Sequence, residues 1–142
     1  MLLVVDVNVI FSALVNKGEP FRVFEINSIL KKFEFIVPEF LFSEIGKRMD
    51  KLLLQTKLTK EQLAESFSFI KEQLKPISYS EFIDKIPEAA KINIKDAHYL
   101  ALASKFKCCI FSGDKGLKKQ TLIKIYSPRE ILNILESSSS IL

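Results

Sequence analysis

Leu2-Leu3-Val4-Val5-Asp6-Val7 is a short, continuous apolar run broken by one carboxylate. It reads as a strand, Leu2–Val7, buried on both faces. Two further runs, Phe33–Val37 and Cys108–Ser112, have the same character, and a short strand is expected at Ile123–Tyr126. Between them the apolar positions recur at helical spacing. Pro20 suits the first turn of a helix carrying Phe21, Phe24, Ile29 and Leu30, with Lys31-Lys32 at its end. Pro38 is expected to open a helix from Glu39 to about Leu54, with Phe40, Leu41, Ile45, Met49 and Leu52-Leu53 towards the core and Glu44, Lys47, Arg48 and Lys51 on its polar face. Thr59-Lys60-Glu61-Gln62 is a capping box, followed by Leu63, Phe67, Ile70 and Leu74. Pro76 is expected to end that helix, Pro76–Tyr79 to form an extended link, and Ser80 to start a brief helix to Ala90. Asn93 is expected to cap a helix apolar nearly all round, from Ile94 to Phe106, which marks it as buried. Ser127-Pro128-Arg129-Glu130 is a second capping box and starts a helix to Leu135.

Strands alternating with helices define an α/β class: a single three-layer domain with a central, mostly parallel sheet of four or five strands. There is no internal repeat, linker or second core. Residues 1–136 form the domain and 137–142 a short Ser-rich tail. The chain's 142 residues and 48% hydrophobic content suffice for one core. A net charge of +4 suits a polyanionic partner without demanding one. The two cysteines, Cys108 and Cys109, are adjacent and set up no disulfide framework, and with one His they make no zinc site. No apolar run approaches a membrane span, and no positive segment of the signal-peptide kind opens the chain. The expected location is cytoplasmic, with no membrane partner.

Asp6 changes the picture. A carboxylate in so apolar a run is costly unless it is neutralised or binds a cation, so a cap for a following helix is the weaker account of it. In open α/β sheets ligands bind beyond the carboxyl ends of the strands. Asp6, Asp114, Asp96 and Glu44 can all be placed at that edge. Taken singly, Asp96 is either a ligand or an ordinary first-turn acid, Asp114 either a ligand or a turn residue, and Glu44 alone a solvated helix acid. Together they need compensation: like charges about 4 Å apart repel by roughly 4 kcal/mol at an effective dielectric of 20. Hard divalent cations, Mg²⁺ or Mn²⁺, supply it, and an all-carboxylate site fits phosphoryl chemistry better than zinc hydrolysis. His98, two residues after Asp96, is expected on another side of the helix, in a structural role near the site, stacking or hydrogen bonding, in preference to metal binding. Lys115, Lys118 and Lys119 either hold phosphates or form a solvated surface. The 12 Phe, with no Trp, read as core rather than as base-stacking platforms.

Four segments in order resemble the PIN domain, the metal-dependent nuclease fold of VapC-type toxins. They are Val4-Val5-Asp6-Val7-Asn8, Val37-Pro38-Glu39-Phe40-Leu41-Phe42-Ser43-Glu44, Lys95-Asp96-Ala97-His98-Tyr99-Leu100-Ala101-Leu102-Ala103 and Phe111-Ser112-Gly113-Asp114-Lys115-Gly116-Leu117. The resemblance implies a PIN-like fold and an Mg²⁺- or Mn²⁺-dependent endoribonuclease that cleaves RNA by metal-activated water. It implies metal binding by Asp6, Asp96 and Asp114, with Glu44 completing the cluster directly or by positioning the water. Asn8 and Ser112 become supporting hydrogen-bonding groups. It further implies a homodimer and, for toxin members, a small antitoxin partner. One departure stands out: a second turn Asp, common in the family, is replaced by Gly116.

Two other readings compete. A haloacid-dehalogenase-like phosphatase also begins with a strand-end Asp, but Asn8 replaces the acid/base Asp of its Asp-x-Asp motif. A catalytically inert PIN-fold module binding RNA or protein is the non-enzymatic alternative, motivated by Gly116.

Overall fold

The computed structural model describes residues 1–139. Five strands form one sheet in the order β3-β2-β1-β4-β5. They are β1 (Leu2–Val5), β2 (Glu34–Pro38), β3 (Leu74–Ile77), β4 (Cys109–Phe111) and β5 (Ile125–Tyr126), and every pairing is parallel. Parallel strands need crossover connections, which the helices supply. In chain order these are α1 (Val7–Asn16), α2 (Glu19–Leu30), α3 (Phe40–Gln55), α4 (Lys60–Lys71), α5 (Ile86–Ile92), α6 (Ala97–Phe106) and α7 (Pro128–Ser139).

β1 is central, which explains its continuous apolar run: Leu3, Val4 and Val5 have no exposed surface. The register sets Leu3 beside Phe35 and Cys109, and Val5 beside Phe111. Alternation along the strands then assigns one face to Phe35 and Phe111 and the other to Val4, Ile36 and Ile110. Phe24 of α2 packs on the first face, with ring centroids 5.2 Å from Phe35 and 6.1 Å from Phe111. Helix α6 covers β1, β2 and β4. Its Leu100 to Ala103 are buried, as an all-apolar helix requires.

Several boundaries differ from the sequence expectation, each for a local reason. β1 stops at Val5, and α1, which the pattern did not reveal, starts at Val7. Its β-branched start imitates a strand, yet Val9, Ile10, Ala13 and Leu14 are buried at helical spacing. Pro38 ends β2 instead of opening α3. Leu74 belongs to β3 and not to α4, and Pro76 sits inside that strand. β3 lies at the sheet edge, where a missing N–H is tolerated. The stretch expected as one helix from Ser80 is two single 3₁₀ turns, Tyr79–Glu81 and Ile83–Lys85, followed by α5. Helix α6 begins at Ala97, because Asn93 caps the preceding loop: its Oδ1 accepts from the Asp96 N–H at 3.2 Å. Helix α7 continues beyond Leu135 to Ser139, into the expected tail, whose residues 140–142 lie outside the described residues. Both capping boxes are present. Thr59 Oγ1 accepts from the Gln62 N–H, and Ser127 Oγ from the Glu130 N–H.

Candidate active site

The strand order reverses beside β1. Connections from β1 through β2 to β3 run to one side, whereas β4 and β5 lie on the other. The carboxyl ends of β1 and β4 therefore flank the crevice where open α/β sheets bind ligands. Asp6 leaves β1 there, and Ser112 leaves β4.

Asp6 is 1% exposed and its carboxylate is held at both oxygens. Ser112 Oγ donates to Oδ2 at 2.8 Å, and the Asn8 N–H donates to Oδ1 at 3.2 Å. The second contact makes Asp6 the N-cap of α1. Capping, set aside in the sequence reading, is thus one of its roles. It does not relieve the burial, which pushes the Asp6 carboxyl above its ordinary value despite the Ser112 and Asn8 bonds. Asp114 raises it further, and Lys95 opposes the rise.

Asp96, at the N-cap of α6, is 5% exposed and makes no side-chain cap bond. Its Oδ2 is buried without a hydrogen-bond partner in the protein. Burial first, then the charges of Asp6 and Asp114, raise its carboxyl, while Lys95 again opposes. Tyr99 supports the same corner. Its hydroxyl accepts from the Val7 N–H at 3.4 Å, and burial beside Asp6, Glu44 and Asp96 holds the phenol far above its ordinary value.

Asp6, Asn8, Glu44 and Asp96 line one cleft of about 570 Å³. Asp114 lines an adjoining hollow of about 390 Å³, with Asn8 and Lys95 common to both. The separation has a cause. Asp114 Oδ1 accepts from the N–H groups of Gly116 at 2.8 Å and Leu117 at 3.4 Å, so the side chain closes its own turn. Its backbone N–H, in turn, donates to Ser112 Oγ at 3.0 Å, which links the Asp114 turn to Asp6 through one hydroxyl. Among the described residues, no three His, Cys, Asp or Glu side chains stand close enough as they lie to hold an ion.

The basic turn is less gathered. Lys118 pairs with Glu130, holding that carboxyl down at about 2, and Lys115 and Lys119 line neither cleft. His98 does line the Asp6 cleft, because Asp96 precedes the helix proper and His98 falls in its first turn. Lys95 and Arg48 were not singled out from sequence as site residues, and Phe40, expected towards the core, is half-buried at the start of α3; all three line that cleft. The position of Lys95 directly before Asp96 was the available signal. A larger hollow, about 850 Å³, gathers around the first residues of β1, β2 and β3, away from the switch edge.

Fold and site together define a member of a known class: residues 4–131 match the PIN domain family, and the chain belongs to it. A chain of the crystal structure of VapBC2 from Rickettsia felis, bound to a DNA fragment from its promoter, has the same fold. The match has a TM-score of 0.67 at 14% identity and covers 89% of this chain and 98% of that one. No curated protein matches significantly.

Proposed function

We propose that this protein is a metal-dependent endoribonuclease of the VapC kind, with Asp6 and Asp96 as the centre of its site. One observation carries the reading: two buried carboxylates face one cleft at the switch edge, and one has an oxygen, Asp96 Oδ2, without a partner in the protein. A buried oxygen of that kind is costly unless a cation or donor meets it. The donor set is oxygen throughout, which fits Mg²⁺ or Mn²⁺.

Asp6 and Asp96 would hold the ion, Glu44 would complete the set from the same cleft, and Asp114 would join from the neighbouring hollow. When bound, such an ion activates water and neutralises charge on a phosphate. The chain's own groups prepare for this. Ser112 and the Asn8 N–H fix the Asp6 carboxylate, so its orientation costs nothing when a ligand arrives. Tyr99 braces the first turn of α1. Lys95, shared by both hollows, is placed to meet a phosphate or to offset the acids. RNA is the proposed substrate, and the resemblance to VapC-type toxins supports an antitoxin partner and self-association as companion proposals.

Cleavage of single-stranded and structured RNAs with Mn²⁺, Mg²⁺ or EDTA tests the reading. Metal-dependent cleavage lost in Asp6→Asn and Asp96→Asn is expected. No cleavage with either metal would overturn it and favour the inert binding module, a reading that the turn-closing role of Asp114 and the presence of Gly116 support.

A further inference from the structure

The Asp6 cleft is not walled by polar groups alone. Phe40, the first residue of α3, and His98, in the first turn of α6, both line it. Their rings meet edge to face with centroids 5.1 Å apart. Tyr79, from the first 3₁₀ turn, places its ring 5.7 Å from His98 and is 39% exposed. Two rings thus wall the acid cleft, and Tyr79, outside its lining, extends the ring contact to an exposed position. Arg48 lines the same cleft, with its guanidinium 5.1 Å over the Phe11 ring.

These rings form the rim of the aromatic core, with Tyr79 5.6 Å from Phe82 and Phe40 6.4 Å from Tyr99, centroid to centroid. Phe24, Phe35, Phe82 and Phe111 are fully buried, whereas Phe40 and His98 are half-buried and Tyr79 is exposed. Their placement answers a difficulty in the proposed function. An ion and Lys95 at the acids would meet a phosphate but hold no base, so any affinity for a nucleobase has to come from other groups. Unpaired bases stack on aromatic side chains and Arg planes, and every base offers a π-face for this. A base already stacked in a duplex is not available to such rings.

We propose that Phe40, His98 and Tyr79 form a stacking subsite for one unpaired nucleobase next to the phosphate held at the acid pair, with Arg48 as the cation at its edge. The proposal rests on the nuclease reading and adds to it the groups that would hold one base beside the acids.

The test is fluorescence anisotropy with a short end-labelled single-stranded RNA and its abasic derivatives, one per position, with Ca²⁺ as the added cation. For the native protein, one abasic position is expected to weaken binding about ten-fold. Phe40→Leu, which keeps apolar packing but removes the π-face, should weaken the intact RNA similarly and lose the abasic sensitivity. Phe40→Tyr should restore both, and His98→Leu serves if Phe40→Leu does not fold. Equal binding of all abasic RNAs, unchanged sensitivity in Phe40→Leu, or no RNA binding at all would overturn the subsite. Cleavage of the intact strand with Mn²⁺ separates the two ideas. Cleavage without base dependence leaves the nuclease and removes the subsite, and base dependence without cleavage does the reverse.

Discussion

Ser112→Ala is the sharpest perturbation of the acid corner. Ser112 is 2% exposed, and its hydroxyl both donates to the Asp6 carboxylate at 2.8 Å and accepts from the Asp114 N–H at 3.0 Å. A hydrogen bond to a charged group contributes about 1.5–3 kcal/mol and a neutral one about 0.5–1.5. The substitution should therefore cost about 2–4.5 kcal/mol, and at roughly 3–4 °C per kcal/mol for a domain of this size the Tm should fall by about 6–18 °C. The informative measurement is a double-mutant cycle by urea denaturation in EDTA at pH 7. In an Asp6→Asn background the Ser112 bond becomes neutral, so the cost of Ser112→Ala should shrink to about 1–3 kcal/mol, a coupling of about 1–1.5 kcal/mol. If Ser112→Ala costs the same in both backgrounds within about 0.5 kcal/mol, Asp6 does not carry its charge against this hydroxyl. The account of a buried, donor-held carboxylate would then fail.

Other predictions follow from the same contacts. Without metal, Asp96→Asn should stabilise the protein, since it removes a buried charge facing Asp6; it should also abolish any rise in Tm on adding Mn²⁺. For the native protein the stabilisation behind that rise should reach about 2.7 kcal/mol at a hundred times the dissociation constant. Thermal melts with Mn²⁺ and with EDTA check both, and an unchanged Mn²⁺ response in the variant refutes the ligand assignment. Glu130 is held at about 2 against an ordinary 4.5, by Lys118 and by Ser127. Its contribution is therefore full above about pH 4.5 and is lost as pH falls towards 2. Glu130→Gln should flatten that part of the stability–pH curve, by an amount kept small by solvent exposure. The Tyr99 phenol should ionise only on unfolding. Of the three tyrosines, at least one should stay un-ionised in an alkaline absorbance titration until denaturant is added, and Tyr99→Phe should remove that delayed step. Gly116 has helical backbone angles, φ −65° and ψ −43°, and a Cβ there would lie 3.2 Å from Asp114 Oδ1. Gly116→Asp should consequently fold, push the Asp114 carboxylate out of its turn, and tighten Mn²⁺ binding measured by calorimetry. Unchanged affinity would show that Asp114 does not reach the ion.

Much of this protein was readable in its residues. The apolar runs at β1, β2 and β4, the two capping boxes, the buried all-apolar α6 and the cost of Asp6 in its strand follow from side-chain chemistry and spacing alone. Four segments in order were enough to point to the PIN family, to which the chain belongs. What the sequence did not resolve were places where a residue serves two elements at once. Asp6 closes β1, caps α1 and faces the cleft, and α1 stayed hidden because its Val-rich start suits strand and helix equally. Pro76 reads as a helix stop, but only the sheet order makes β3 an edge strand that tolerates it.

The grouping of the acids was the work of tertiary structure. Spacing brings Asp6, Glu44, Asp96 and Asp114 to one sheet edge, yet the fold divides that edge into two hollows. Asp6, Glu44 and Asp96 line the first, while Asp114 lines the second and closes its own turn. Which backbone N–H a carboxylate meets is fixed by local turn geometry, and which rings wall a cleft is fixed by how distant helices pack. Phe40, Tyr79 and His98 are far apart in the chain and meet only because the start of α3 and the 3₁₀ turn both pack against the first turn of α6. The sequence by itself determined the class of the protein and the charge that its first strand must bury. Tertiary packing alone decided which of its acids share that burden.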